Sequence, residues 1–211
     1  MRLDHLSYAS PPEELDSCAQ KLGEQLGVEP VDGGLHPRFG TRNRVLPLAN
    51  GHYVEVVAVL DHPVVDQVPF GQAVKARAES GAGWLGWVVA VEDLTALEAR
   101  LGRAAVEGHR TRPDGVELRW RQLGVKGLMN DPALPFFVQW VSSPSEHPSN
   151  GGTSTRLERL QMGGDPSRVS DWLGAPVAKP LTDIDVDWTA PNGQPGLLSA
   201  TFSTPSGVVT I

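Results

Sequence analysis

Leu3-Asp4-His5-Leu6-Ser7-Tyr8-Ala9-Ser10, running through Pro11-Pro12 into a helical stretch that ends Leu26-Gly27, decides the fold, because the pattern is written three times. The third copy opens Leu157-Glu158-Arg159-Leu160-Gln161-Met162-Gly163-Gly164, passes Asp165-Pro166 and ends its helix at Leu173-Gly174. The second is looser: Leu85-Gly86-Trp87-Val88-Val89-Ala90-Val91, then Glu92-Asp93 and a helix ending Leu101-Gly102. Each copy closes on a β-rich strand, Tyr53–Val57, Phe137–Val141 and Val208–Ile211. Where copies agree, repetition reports fold; where they differ, it reports chemistry. His5 is matched by Gly86 and Arg159, and Glu55 by Gln139 and Thr210, so the chemistry belongs to the first copy.

Local signals fill in the unit. Leu3 to Ala9 alternates, setting His5 and Ser7 opposite Leu6 and Tyr8. Prolines and acids at Pro11-Pro12-Glu13-Glu14 start a helix, Leu15, Ala19, Leu22 and Leu26 keep helical spacing, and Gly27 stops it. Arg44–Leu48 and Tyr53–Val57 flank Asn50-Gly51, a strong hairpin signal. The unit reads strand, helix, then about three strands. In the second copy the strands are Leu85–Val91, Val116–Gln122 and Phe136–Val141; in the third, Arg156–Met162, Leu197–Ser203 and Gly207–Ile211. A βαβββ unit leaves a curved half-sheet, and two of them enclose a cavity. We therefore expect an α+β protein with two paired modules over residues 1–145 (about 1–62 and 80–145). A polar linker follows over 146–154, within the Ser142–Ser154 stretch, and a third appended module covers 155–211. The odd module either packs within the chain or meets its twin in a homodimer.

Composition narrows the partners. A net charge of −7 over 211 residues argues against nucleic acid and anionic membrane. No apolar run approaches the ~20 residues of a membrane span. No signal-like stretch opens the chain and Cys18 stands alone, so we expect a cytoplasmic protein with a buried structural thiol. Other motifs carry little. Gly81-Ala82-Gly83-Trp84-Leu85-Gly86 precedes a strand, so it lacks the helix N-terminus that a dinucleotide fingerprint needs. Ser142, Ser143 and Ser145 with His147 fall in the linker, and His62 and His109 in turns. Asp183, Asp185 and Asp187 lack the Gly and Glu of a calcium loop and read as a charged edge strand.

The repeat and the opening Leu-Asp-His resemble the vicinal oxygen chelate superfamily of glyoxalases, extradiol dioxygenases and bleomycin-resistance proteins. The stretch from Gly33-Gly34-Leu35-His36-Pro37-Arg38-Phe39-Gly40 through Leu46, followed by Tyr53-Val54-Glu55, is similar to its glyoxalase-like domain branch. The resemblance implies a metal site of His5, Glu55 and Gln139 holding Mn, Fe, Ni or Zn, with no nucleotide cofactor. His36 could complete that set. Glu55 is also the candidate general base, and a carboxylate facing a core needs a partner. His36, Arg38, Asn43, Trp87 and Trp140 are candidate ligand-binding residues, with the 36–43 loop read rather as a turn and most tryptophans as core. Two readings stay open. One is a metal-assisted lyase, isomerase or dioxygenase acting on a small organic molecule; the other is a metal-free binding or sequestration protein.

Overall fold

In the computed structural model, which describes residues 1–151, 153–176 and 179–211, the first two repeats close into one barrel. The first contributes β1 (Arg2–Ala9), α1 (Leu15–Leu26), β2 (Val31–His36), β3 (Thr41–Pro47) and β4 (Tyr53–Val59). A helix absent from the sequence reading, α2 (Pro69–Glu79), bridges to β5 (Gly83–Ala90), α3 (Thr95–Leu101), β6 (Val106–Thr111), β7 (Glu117–Leu123) and β8 (Phe136–Trp140). The closed strand order is β1-β4-β3-β2-β6-β7-β8-β5. Within each repeat the first and last strands run parallel, Ser7 beside Glu55 and Val88 beside Phe136. Between repeats β1 meets β5 antiparallel, which closes the barrel along its central seam.

Local physics explains the elements. On α1 the side chains of Leu15, Cys18, Ala19, Leu22 and Leu26 form one buried stripe. The helix ends where Gly27 takes φ +65°, a left-handed cap open to a residue without Cβ. Cys18 is buried, and burial together with nearby Glu14 pushes its thiol up, as suits a packing thiol. The hairpin between β3 and β4 turns at Asn50, φ 62°.

β1 is not a regular strand. Its pairing with β5 slips between Leu3 and His5, a bulge that leaves Asp4 buried beside an inward-facing His5. Bulges re-aim side chains in this way. The same seam sets Leu6 against Trp87, and both enter the outer core. Trp87 is fully buried there, its Nε1 donating to the Ala133 carbonyl at 2.9 Å, so it lines no cavity, contrary to the sequence expectation.

The third repeat keeps the element order but not the strand order. It comprises β9 (Arg156–Gly163), α4 (Pro166–Leu173), β10 (Asp185–Ala190), β11 (Gly196–Thr204) and β12 (Gly207–Thr210), arranged β10-β9-β11-β12. Its first strand lies in the interior of the sheet, whereas β1 and β5 end their half-sheets. The Asp185/Asp187 strand is an edge, as the alternating charges suggest. The sheet packs on the outside of the barrel. Leu157, Leu160, Met162 and Phe202 share one core with Leu3, Leu6, Trp87 and Phe137. Trp84 Nε1 donates to the Ile211 carbonyl at 3.0 Å and Trp172 Nε1 to that of Pro135 at 2.7 Å.

The stretch read as a solvated linker is instead a strap. His147 packs against the rings of Tyr53 and Trp140, centroids 5.7 and 5.1 Å away, and Ser149 is buried. Polar composition misled because these polar groups are satisfied internally: His147 Nδ1 lies 2.7 Å from Ser149 Oγ. Among the described residues no helix is long and apolar enough to cross a membrane.

Candidate functional site

Inward-facing positions of the barrel converge on a small chamber lined by His5, His36, Asn43, Tyr53, Glu55, Arg110 and aromatic walls that include Phe39, Phe70, Trp120, Phe136 and Trp140. Alternation supplies them: Tyr53 and Glu55 from β4, Asn43 from β3, Arg110 from β6, Trp120 and Gln122 from β7. Its volume is about 40 Å³, room for a few waters at roughly 10–15 Å³ each.

The polar groups form two chains. In the first, Asp4 Oδ2 accepts from His5 Nδ1 at 2.9 Å, while Oδ1 accepts from His147 Nε2 and from Trp140 Nε1, each at 3.1 Å. A carboxylate only accepts, so His5 must carry its hydrogen on Nδ1, which leaves Nε2 facing the chamber. In the second, Arg110 donates to Asn43 Oδ1 at 2.9 Å and Asn43 Nδ2 donates to Glu55 Oε1 at 2.6 Å. Ser7 Oγ donates to Glu55 Oε2 at 3.2 Å. The chains meet where His5 Nε2 stands 3.8 Å from Glu55 Oε2, beyond hydrogen-bond length. Gly33 makes the second chain possible. A Cβ there would sit 2.0 Å from Asn43 Oδ1 and 2.4 Å from an Arg110 nitrogen.

Electrostatics follows this wiring. Burial works against the Asp4 charge, but the hydrogen bonds from His147 and His5 outweigh it and hold the carboxyl well below the usual range. Burial likewise raises Glu55, and His5, His36, Arg110 and Asn43 together more than reverse that, so Glu55 is an anion at neutral pH. Burial brings His36 down to about 4, with Arg110 and His5 adding to the effect, so its ring is neutral. The Tyr53 phenol is driven well up by burial and by the Asp4 and Glu55 charges.

Of the candidates from sequence, His5, His36, Asn43, Glu55 and Trp140 reach the chamber. Gln139 does not. It faces outward, its Nε2 donating to the Glu92 carbonyl at 2.9 Å and its Oε1 accepting from Arg121 at 3.3 Å. Register explains the error: His5 pairs with Tyr53 and Val88 with Phe136, so Val88 and Val138 hold the places of His5 and Glu55 in the second repeat. Arg38 is exposed and lies outside the chamber, beside a neighbouring cavity. Sequence reasoning missed Arg110, Tyr53, Phe39 and Phe70, and dismissed His147. The Gly108–Arg110 alternation was a readable signal for Arg110; nothing local marked the others.

A closed eight-stranded barrel of two βαβββ repeats around a buried polar chamber defines the vicinal oxygen chelate superfamily. The chain belongs within it to the glyoxalase-like domain family, whose model matches residues 3–177. The solved structure of a hypothetical protein from Staphylococcus aureus aligns with a TM-score of 0.62 at 14% identity, over 99% of this chain and 84% of that one. Methylmalonyl-CoA epimerase from Mycobacterium tuberculosis aligns at 0.43 and 18% identity, over 66% and 86% of the two chains. A Streptomyces coelicolor methylmalonyl-CoA epimerase in complex with 2-nitronate-propionyl-CoA aligns at 0.43 and 19%, over 67% and 99%. No curated protein matches the chain.

The metal site implied by the superfamily does not fit these residues. Gln139 is turned away, Val88 and Val138 offer no donor, and both Glu55 oxygens already accept hydrogen bonds. Among the described residues no group of three His, Cys, Asp or Glu side chains is placed to hold a metal ion, whereas such ions generally need at least three protein ligands.

Proposed function

We propose that this protein binds a small carbonyl compound in the barrel and moves a proton at the carbon next to the carbonyl, with His5 as general base and acid. The supporting observation is the Asp4–His5–Glu55 array: an imidazole fixed through Nδ1 by one buried carboxylate, its Nε2 open to the chamber 3.8 Å from another. His5 Nε2 takes the proton, the C–H electron pair passes into an enolate, and the same proton or one from water returns to carbon. A proton held on Nε2 lies beside the Glu55 anion, and Asp4 plays the orienting part that a carboxylate plays behind a catalytic histidine. Glu55, the base expected from sequence, suits the role of fixed anion better, since its neighbours hold its pKa below the ordinary carboxylate value. The lone thiol is consistent with a cytoplasmic protein, and one chain supplies both halves of the barrel.

The test is hydrogen–deuterium exchange by NMR over a panel of 2-oxo acids, 2-methyl thioesters and 2-hydroxy ketones in D₂O. Wild type should exchange the carbon-bound proton of at least one class, and His5→Gln should slow it by about 10²–10⁴-fold, the usual worth of a general base. Compounds that bind without any exchange would instead make this a sequestering protein. That second reading draws on the aromatic walls.

A further inference from the structure

Phe39, Phe70 and Gln122 line the inner chamber on one side and a second, much larger cavity of about 500 Å³ on the other. The phenylalanine rings stand 5.9 Å apart at 72°, an apolar partition shared by both cavities. The walls of the outer cavity are largely apolar, with Val68, Pro69, Leu123 and Val125 among them. Its charged residues are all positive: Arg38, Arg103 and Lys126. Among the described residues no carboxylate pairs with any of the three, although many other basic side chains here do sit against acids, such as Arg44 against Asp16 and Arg121 against Glu98. The Arg103 guanidinium is held over the Trp172 ring at 5.4 Å, which fixes its position without neutralising it. On a chain of net charge −7, a cavity rimmed only by cations is a local reversal of sign, and such a field concentrates anions.

We propose that the outer cavity is a binding site for an amphipathic anion, a molecule with an apolar body and a terminal carboxylate or phosphate. The cations at the rim hold the anionic group while the body lies on Val68, Pro69 and Leu123 and points at the Phe39–Phe70 partition. Swinging either ring aside joins the two cavities and gives such a ligand a path to His5. The proposal goes beyond the proton-transfer reading and does not depend on it, because the site binds whether or not chemistry follows.

Calorimetry with four probes of one chain length separates the possibilities: octanoate, octyl phosphate, octanol and octylamine. Octanoate or octyl phosphate should bind about tenfold tighter than octanol, as expected for up to three partly exposed ion pairs. Which of the two leads identifies the head group. Octylamine should bind more weakly than octanol. In the triple variant Arg38→Gln, Arg103→Gln, Lys126→Gln the anion preference should vanish while octanol is unaffected. Glu55→Gln should leave all four affinities unchanged, so loss of catalysis and loss of this site are read apart. Equal affinity for octanol and the anions, no binding of any probe, or a preference that survives the triple variant would each overturn the proposal.

Discussion

Replacing Asp4 with asparagine tests the wiring of the chamber most directly. Asp4 has no exposed surface and accepts three hydrogen bonds, from His5, His147 and Trp140. Asparagine keeps the shape but turns one acceptor oxygen into an NH₂ that confronts an N–H, either of His5 or of His147. Removing one partner from a buried, charged network costs about 3–5 kcal/mol, a large share of the roughly 5–15 kcal/mol that a domain of this kind has. The pH dependence is the sharper signature. Because the folded carboxyl sits below its ordinary value of 3.8, its contribution is complete above the unfolded pKa and is lost as pH falls. From about pH 4 downward, where the unfolded chain takes up a proton that the folded one refuses, the advantage of wild type over Asp4→Asn should shrink, with a slope that approaches about 1.4 kcal/mol per pH unit well below the unfolded pKa. Urea denaturation followed by tryptophan fluorescence at pH 7, 4.5, 4 and 3.5 measures both. A loss under about 1 kcal/mol at neutral pH, or a gap that stays constant on acidification, would refute the account of Asp4 as a charged hub.

His36 is held at about 4 against an ordinary 6.5, so the unfolded chain binds its proton first and stability falls with acidification across that window; His36→Gln should flatten the denaturation-midpoint profile there, and a His36 ring signal titrating near 6.5 by NMR would contradict the burial argument. Gly33→Ala should uncouple Arg110 from Asn43 and cost about 1–3 kcal/mol as an overpacked core site does, with a loss of proton exchange although no chamber side chain is altered; an unchanged crystal geometry around Glu55 would show that the close approach is not needed. Phe202→Ala should remove about 3–5 kcal/mol in a single unfolding transition, since Phe202 packs in the core shared with the barrel; two separate transitions would mean that the third repeat folds by itself.

The architecture was legible because repetition and periodicity are properties of the chain itself. The threefold pattern, the helix stops at Gly27, Gly102 and Gly174, and the Asn50 hairpin all stand in the structure. The departures share one cause, which is that register is a property of pairs of strands. A single-residue offset in β8 exchanges Gln139 for Val138 and Trp140 at the chamber, and one partner strand decides that Trp87 serves the outer core. The order of the third sheet depends on what β9 finds beside it, and the Asp4 bulge on how β5 aligns. His147 was invisible for a related reason: its polar surroundings carry no periodicity, and only the folded barrel brings it to Asp4.

That contact has a consequence for how the molecule is made. His147 and Asp4 lie 143 positions apart, and Asp183 reaches back to the backbone of Leu3 across 180. During synthesis at about 5–20 residues per second, the first strand emerges and waits on the order of 10–30 seconds before the residue that completes its buried carboxylate leaves the ribosome. Of the three hydrogen-bond partners of Asp4 only His5 belongs to the same strand, and Trp140 and His147 both come from the end of the second repeat. The buried carboxylate of the first strand is thus fully partnered only when the strap at the end of the second repeat is in place.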